Sequence, residues 1–453
     1  MKQLSLFMMG VLLSTRLFAG TQVEPDLALQ MLNGQNKLFA KQVVQVSDNV
    51  FTAVGYHGAN VSMIVGTDGV IIVDTLMGPT GAENAFKALR EHSDKPVKAI
   101  IYTHSHGDHT GGAKVFAGDD NPDIYALDNF GLAANNAGGL GKILGQRGVR
   151  QFGRMLPQSE IINRGLAPAN TVDTDRGKGY MKPTVSVVGE KTSVNIAGVD
   201  LELLALPGET DDALTVWLPN ERVLLAGDNF YQAFPNLYAI RGTAYRNVLN
   251  WSDSVAKMAE YKPAALVGGH TTPILGQEQA TAALQNYSDA IRSVYDQTVV
   301  GINQGKGPEL IAQEVSLPKH LQEQPYLTEF YGTVPHAVRA IYAGLIGWFD
   351  GNPSTLNPHH PSKAALNMAK LAGGTKKLTE SMVSALKQQD YQWALELADH
   401  LNWLEKADHK LALETKIKAL RGLAQREYNA PNRNYYLSYA NELESGKLDA
   451  KWF

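Results

Sequence analysis

The run Thr103-His104-Ser105-His106-Gly107-Asp108-His109-Thr110-Gly111-Gly112 places three imidazoles and one carboxylate within six residues. In this H-x-H-x-D-H spacing His104 and His106 converge from the end of a strand, whereas Asp108 and His109 turn the other way. One ion cannot easily gather all four groups from so tight a turn, so the pattern points to two adjacent metals fed by one loop. Neutral imidazole suits zinc, and the carboxylate adds tolerance for manganese or iron. A histidine-rich surface loop is the competing account. The apolar β-like run 97–102 before the motif and the Gly-Gly after it argue against that account.

A two-metal site needs about three further ligands, which should lie at strand ends on the same edge. Three segments qualify: Leu206-Pro207-Gly208-Glu209-Thr210, Leu225-Ala226-Gly227-Asp228-Asn229 and Val267-Gly268-Gly269-His270-Thr271. Asp74, closing another buried run, either orients a metal ligand through a hydrogen bond or caps a turn. The chain contains no cysteine, so the ligands must be histidine and carboxylate, and an oxidising compartment would provide no disulfides.

The elements that position these groups follow from hydrophobic period. Strand-like runs occupy 50–54, 61–65 and 70–73, with Thr67-Asp68-Gly69 as a turn, and a helix over 81–92 places Ala85, Ala88 and Leu89 on one face. Residues 131–157 are rich in Gly, Asn and basic side chains without a clear period and read as a loop inserted over the site. Strands resume at 184–188, 199–206, 213–218, 222–226 and 264–267, with a helix at about 245–261. Strands alternating with helices on both sides predict an α/β sandwich. Beyond Gly276 only helical periods recur, over 277–303, 326–347, 362–371, 378–388, 391–404 and 409–425. The last of these, with Trp393, Ala394, Leu397 and Ala398 at helical spacing, resemble paired-helix repeats of the tetratricopeptide kind.

With 453 residues and 44% apolar content the chain has material for two to three domains. Its 41 Lys+Arg against 45 Asp+Glu suggest neither nucleic acid nor a membrane surface as partner. Lys2, the apolar stretch 4–13 and Leu17-Phe18-Ala19 before Gly20 read as a secretory signal, residues 1–20, too short to span a bilayer comfortably. This predicts a periplasmic or secreted protein without a membrane anchor after cleavage, its mature chain starting near Gly20 or Thr21.

The 103–112 motif, the strand before it and the helical pattern after Gly112 resemble the metallo-β-lactamase fold, an αββα sandwich with its metals at one edge between two sheets. In that fold the position of Glu209 is usually a histidine, that of Asp228 an acid bridging both metals, and that of His270 a histidine on the second metal. Glu209, the run from Asn236 through Arg241, the segment Tyr326-Leu-Thr-Glu-Phe-Tyr-Gly-Thr-Val and the segment from Ile341 to Pro353 closely resemble the secreted alkyl sulfatases of this superfamily. The likeness runs from Val50 to about Leu443, and 348–353 is its most specific part.

The resemblance implies a catalytic domain over 21–276 and an all-α dimerisation domain over 277–453, hence a homodimer. It implies two zinc ions per chain, the first held by His104, His106 and Glu209 and the second by Asp108, His109 and His270, with Asp228 bridging. Asp108 and Asp228 are then the catalytic carboxylates, and Asn236 and Arg241 the sulfate-binding pair. The chain departs from its relatives in having Asp where their bridging acid is usually Glu. Their first acid usually sits one residue later, which leaves Asp211 or Asp212 in competition with Glu209. Their last ligand normally lies in a His-His-Trp-Pro setting, here Gly269-His270-Thr271-Thr272-Pro273, and a C-terminal sterol-carrier-like domain is missing, which bears on long-chain substrate capture.

Two zinc ions lower the pKa of a shared water from about 15.7 towards about 7. A sulfate monoester head would need a fork-shaped cation and a neutral donor, which Arg241 and Asn236 provide. An alkyl tail would need an apolar channel, for which Phe152, Met155, Leu156, Phe230, Tyr231 and Phe234 are candidates. His57, His336, His359 and His360 are assigned to no metal, and Arg339 and Asp350 to the dimer or domain interface. The leading expectation is an exported dizinc hydrolase of alkyl sulfate esters. Hydrolysis of a phosphoester, lactam or thioester is the alternative chemistry, and a non-catalytic helical scaffold the alternative class.

Overall fold

The computed structural model describes residues 20–132, 138–171 and 174–448; the 1–20 signal reading falls almost entirely outside them. The first sheet runs in chain order through β1 (Gln42–Ser47), β2 (Val50–Val54), β3 (Val61–Val65), β4 (Val70–Val73), β5 (Val97–Ile101), β6 (Asp123–Leu127) and β7 (Val185–Val187). The second comprises β8 (Lys191–Ile196), β9 (Val199–Ala205), β10 (Leu214–Leu218), β11 (Val223–Gly227), β12 (Ala265–Gly268) and β13 (Ile274–Leu275), ordered β13-β12-β11-β10-β9-β8. Strands β1 to β4 form an antiparallel meander, β4 to β7 are parallel, and in the second sheet β11 and β12 are the parallel pair.

Both faces of the first sheet are covered, which is why β2 to β5 read as nearly continuous Val/Ile/Ala runs. The alternation inside each run still sorts the side chains. Ile71 and Val73 enter a core shared with Ile101, Leu203, Val216 and Leu225 between the sheets. Val70 and Ile72 face Ala82, Ala85 and Leu89 of α1 (Pro79–Leu89). On the far side Leu204, Leu224 and Leu266 of the second sheet pack against α3 (Val248–Glu260) and α4 (Gln277–Asn303), through Trp251, Val255, Leu284 and Ile291. The result is the αββα order of layers.

That outer layer continues past Gly276 without a break, because the same core takes in Ala280 to Val294 of α4 and Ala337, Val338 and Ile341 of α5 (Val334–Ile346). Beyond it, the helices Pro361–Leu371, Thr375–Lys387, Tyr391–Asn402 and His409–Arg426 and α6 (Ala430–Glu444) form a separate helical stack. Leu378, Met382, Leu397, Leu401 and Ala412 fill its centre. No described helix is long and apolar enough to cross a membrane.

The segment predicted as an inserted loop instead carries a helix, α2 (Gly141–Gln151). Gly141, Gly145 and Gly148 lower its intrinsic propensity. Tertiary contacts hold it: the fully buried Arg150 makes a bidentate pair with Glu442 of α6, at 2.7 Å for Nη2 to Oε2. The 326–347 pattern also breaks in two, a 3₁₀ turn at Pro325–Leu327 and then α5, whose start is set by Thr333 accepting from His336 N–H. Strand β8 escaped the pattern because it is polar and lies at a sheet edge.

Candidate metal centre

Strand direction explains why residues far apart in sequence meet. Strands β9, β11 and β12 run in one sense, since β10 is antiparallel to both β9 and β11 and β12 is parallel to β11. Their C-terminal ends therefore release Glu209, Asp228 and His270 at one edge. The first sheet delivers the histidine loop there from the end of β5, and Leu214 N–H donates to Thr103 O at 2.7 Å, tying the sheets together. A side chain at Gly269 would drive its Cβ into Asp228 Oδ1, so this close approach needs glycine.

The seven side chains form two groups, His104, His106, Glu209 and Asp228 in one and Asp108, His109 and His270 in the other, with the ligand atoms of each within 4.8 Å of one another. In the first, His104 Nε2 lies 3.7 Å from Asp228 Oδ2 and 3.8 Å from Glu209 Oε2, and His106 Nδ1 lies 3.3 Å from Glu209 Oε2. In the second, His270 Nε2 and His109 Nε2 stand 3.7 and 3.8 Å from Asp108 Oδ2. Asp228 faces both, its Oδ1 being 3.3 Å from His109 Nε2 and 3.2 Å from His270 Nε2. Asp211 and Asp212 belong to neither group; Asp212 accepts from Gly131 N–H.

Each ligand is held by its other side. Asp74, at φ 60°, turns its carboxylate back to accept from Thr103 N–H, Thr103 Oγ1 and His109 Nδ1, the last at 2.7 Å. That leaves His109 Nε2 as the atom facing Asp108 and Asp228, so of the two roles open to Asp74 the ligand-orienting one fits. His270 Nδ1 likewise donates to Gly58 O at 2.7 Å. Arg246, which the sequence pattern did not single out, is buried and donates through Nη1 to Glu209 Oε1 at 2.6 Å and to Asn236 O. Asn229 accepts from Glu209 N–H and donates to Leu206 O, fixing the turn that carries Glu209.

The electrostatics match a cation site. Burial pushes His104 down to about 3, so its ring is neutral, as a ligand must be. Burial would raise the Asp228 carboxyl, but His270 and His109 together hold it well below the ordinary range. Burial opposes protonation of His109, and Asp228, Asp74 and Asp108 outweigh it. Imidazolium charge here answers a demand set by four carboxylates, of which Arg246 pairs directly with Glu209 alone. Three buried atoms, His109 Nε2, Glu209 Oε2 and Asp228 Oδ1, have no hydrogen-bond partner among the described residues. Buried polar atoms are rarely left so, and divalent ions bound to neutral imidazole and carboxylate would satisfy all three.

A cavity of about 140 Å³ opens onto Asp108, Glu209, Asp228 and His270, with Arg241 and Tyr331 also in its wall. The buried Arg241 Nη1 has no partner among the described residues, whereas Asn236 does not line the cavity and its N–H donates to Tyr231 Oη. The apolar channel did not materialise as expected. Phe230, Tyr231 and Phe234 are sealed in packing, Leu156 sits in a small separate cluster, Met155 points outward at 75% exposure, and Phe152 alone of the six lines the cavity.

Comparison with known proteins places this geometry. A metallo-beta-lactamase superfamily model matches residues 54–270, and an alkyl sulfatase dimerisation model matches 307–446. A linear primary-alkylsulfatase of Pseudomonas sp. (strain ATCC 19151) is 35% identical over 397 residues, covering 85% of this chain and 74% of that protein. An (R)-specific secondary-alkylsulfatase of Pseudomonas sp. is 30% identical, covering 94% of this chain and 66% of its own length. The solved structure of the stereoselective inverting sec-alkylsulfatase Pisa1 from Pseudomonas sp. superposes with TM-score 0.83 at 27% identity, over 95% of this chain and 73% of that one. The chain thus spans about two thirds to three quarters of these relatives.

Proposed function

Since this chain belongs to the alkylsulfatases of the metallo-β-lactamase superfamily, we propose that it is a dizinc hydrolase converting alkyl sulfate esters and water to an alcohol and inorganic sulfate. The observation that carries this reading is the pair of ligand groups sharing Asp228, with three unpartnered buried ligand atoms, beside a cavity into whose wall Arg241 brings an unpartnered Nη1.

His104, His106 and Glu209 would hold one ion, Asp108, His109 and His270 the other, and Asp228 both. Bound there, the zinc pair would supply an activated water and Lewis-acid neutralisation of developing charge. The protein supplies the rest. Arg241 offers a planar fork to the sulfate oxygens. Asp74 keeps the His109 proton on Nδ1, and Gly58 O does the same for His270. Asp108, 26% exposed where Asp228 and Glu209 are 7% and 4%, is the ligand carboxylate most open to the cavity.

The test is sulfate release from dodecyl sulfate by metal-replete protein beside a matched phosphate ester. Absence of sulfate release removes the proposal, and preferred phosphate release redirects it. Asp228→Ala should abolish turnover.

The proposal extends to assembly and location. Leu345, Ile346, Leu356 and the 72%-exposed Trp348 cluster in sequence at and beyond the end of α5, within the dimerisation match. A homodimer would cover such apolar surface. Export would be supported by a secreted product whose first residue is near Gly20, read by N-terminal sequencing.

A further inference from the structure

Asn60, at the end of the connection from β2 to β3, is buried and reaches from the first sheet to the end of β12 and the loop that follows. It grips that loop three times. Its N–H donates to Gly269 O at 2.7 Å, and its Nδ2 donates to Gly268 O at 3.0 Å and to Thr271 O at 2.7 Å. The carbonyls on both sides of His270 are thus held by one residue. Two positions earlier in the same connection, Gly58 O accepts from His270 Nδ1. Three carbonyl acceptors demand donors. An amide of this length supplies two from one nitrogen, whereas a carboxylate of the same shape supplies none and would set oxygen against oxygen.

The loop needs such a grip. Thr271 sits at φ 69°, a left-handed conformation that a β-branched residue rarely adopts. Its own sheet holds the far side: Gln232 donates from N–H to Thr271 Oγ1 at 3.1 Å and from Nε2 to Thr272 O at 2.7 Å. Asn60 and Gly58 supply the tie to the first sheet, which also delivers Asp108 and His109. His270 Nε2 and His109 Nε2 stand 3.7 and 3.8 Å from Asp108 Oδ2, so the span between the sheets decides whether these three side chains can share an ion. The first group rests on other contacts, with Arg246 and Asn229 fixing Glu209.

Building on the dizinc reading, we infer that Asn60 is the positioning residue of the second metal group. From across the sheet interface it fixes His270 against Asp108 and His109, and so governs retention of the second zinc without governing the first.

Stepwise zinc affinity of the full chain, measured by chelator competition beside the melting temperature of the metal-free protein, tests this. Asn60→Ala removes both Nδ2 bonds and keeps the backbone one. It should weaken the second zinc by about 10–100-fold, the loss typical when partners of metal ligands are removed, and leave the first unchanged. Turnover of the variant should then depend on added zinc, with half-restoration at about 10–100-fold more free zinc than the wild type needs. Asn60→Ser returns one donor and should recover part of the affinity; it also carries the test if the alanine variant does not fold. Equal weakening of both zincs overturns the inference, because Asn60 would then only fasten the two sheets together. Two unchanged affinities, whatever the melting temperature, overturn it as well. Fewer than two zincs in the wild type defeats the dizinc reading itself, and this inference falls with it.

Discussion

Arg246 and Asp74 show how much of the candidate metal site lies behind the residues that would be its ligands. Glu209 stands where the fold usually has histidine, and a buried carboxylate needs a fixed positive neighbour that an imidazole would not. Arg246 fills that need at 2.6 Å. Arg246→Met should leave Glu209 buried, unpaired and misoriented, so on the proposed dizinc reading bound zinc measured by elemental analysis should fall from two per chain towards one. Turnover should fall by roughly 10–100-fold, as when other orienting partners are lost. Asp74→Asn keeps the shape but presents an amide that can donate to His109 Nδ1, favouring the wrong tautomer. Competition with a chelator should show zinc affinity weakened by about 10–100-fold, while Asp74→Glu keeps the acceptor and should recover part of it. Unchanged zinc affinity in Asp74→Asn would mean that Asp74 only caps its turn.

Helix α2 is the element that holds the proposed sulfate-binding arginine. Arg147 Nη2 donates to Ile240 O at 2.7 Å and Gln151 accepts from Arg241 N–H at 2.8 Å, so the backbone on both sides of that turn is pinned from one helix. The helix in turn depends on α6, through the Arg150 pair with Glu442 and the rings of Tyr435 and Tyr439 around the guanidinium. Glu442→Ala leaves Arg150 buried without its carboxylate. The expected cost is roughly 1–3 kcal/mol, short of a wholly buried pair because Glu442 keeps some contact with water. KM for the sulfate ester should rise with it, since Arg241 loses its brace. A lower melting temperature with unchanged KM would show that α2 is only scaffolding.

At the scale of the molecule, the described N-terminus is stitched to the helical half. Val23 N–H donates to Arg426 O, and Gln22 pairs with Glu427. Burial pushes the Glu427 carboxyl up to about 7, against hydrogen bonds from Thr21 and Asn429 and with the nearby Glu329 adding to the rise. A folded pKa above the ordinary 4.5 means that the neutral form is the one the fold prefers. Its stabilising contribution is complete below about pH 4.5 and is lost as pH rises through about 7. Glu427→Gln should therefore flatten the fall in melting temperature between pH 5 and pH 8, and a parallel wild-type and variant profile would refute the assignment. Ile346→Asp/Trp348→Asp should convert the proposed dimer to monomer in sedimentation velocity while leaving the core, which these side chains do not enter.

Much of this architecture could be read from the residue order. The Val/Ile runs that became β2, β3 and β4 and the period of α4 matched to the residue, because burial on both faces or along one long stripe leaves an unmistakable pattern. The histidine loop was legible because its chemistry is local, four ligands on one turn. The convergence of Glu209, Asp228 and His270 on that loop was not a local property; it followed from the shared direction of β9, β11 and β12, which only the sheet order decides. Arg246, Asn229 and the brace formed by α2 were invisible for the same reason, since their partners are 10 to 292 residues away and leave no periodic trace. The aromatic residues after Asp228 misled, because the same side chains suit a lipid-like channel and a dry core. Which of the two they line is settled by packing, and here packing buried them.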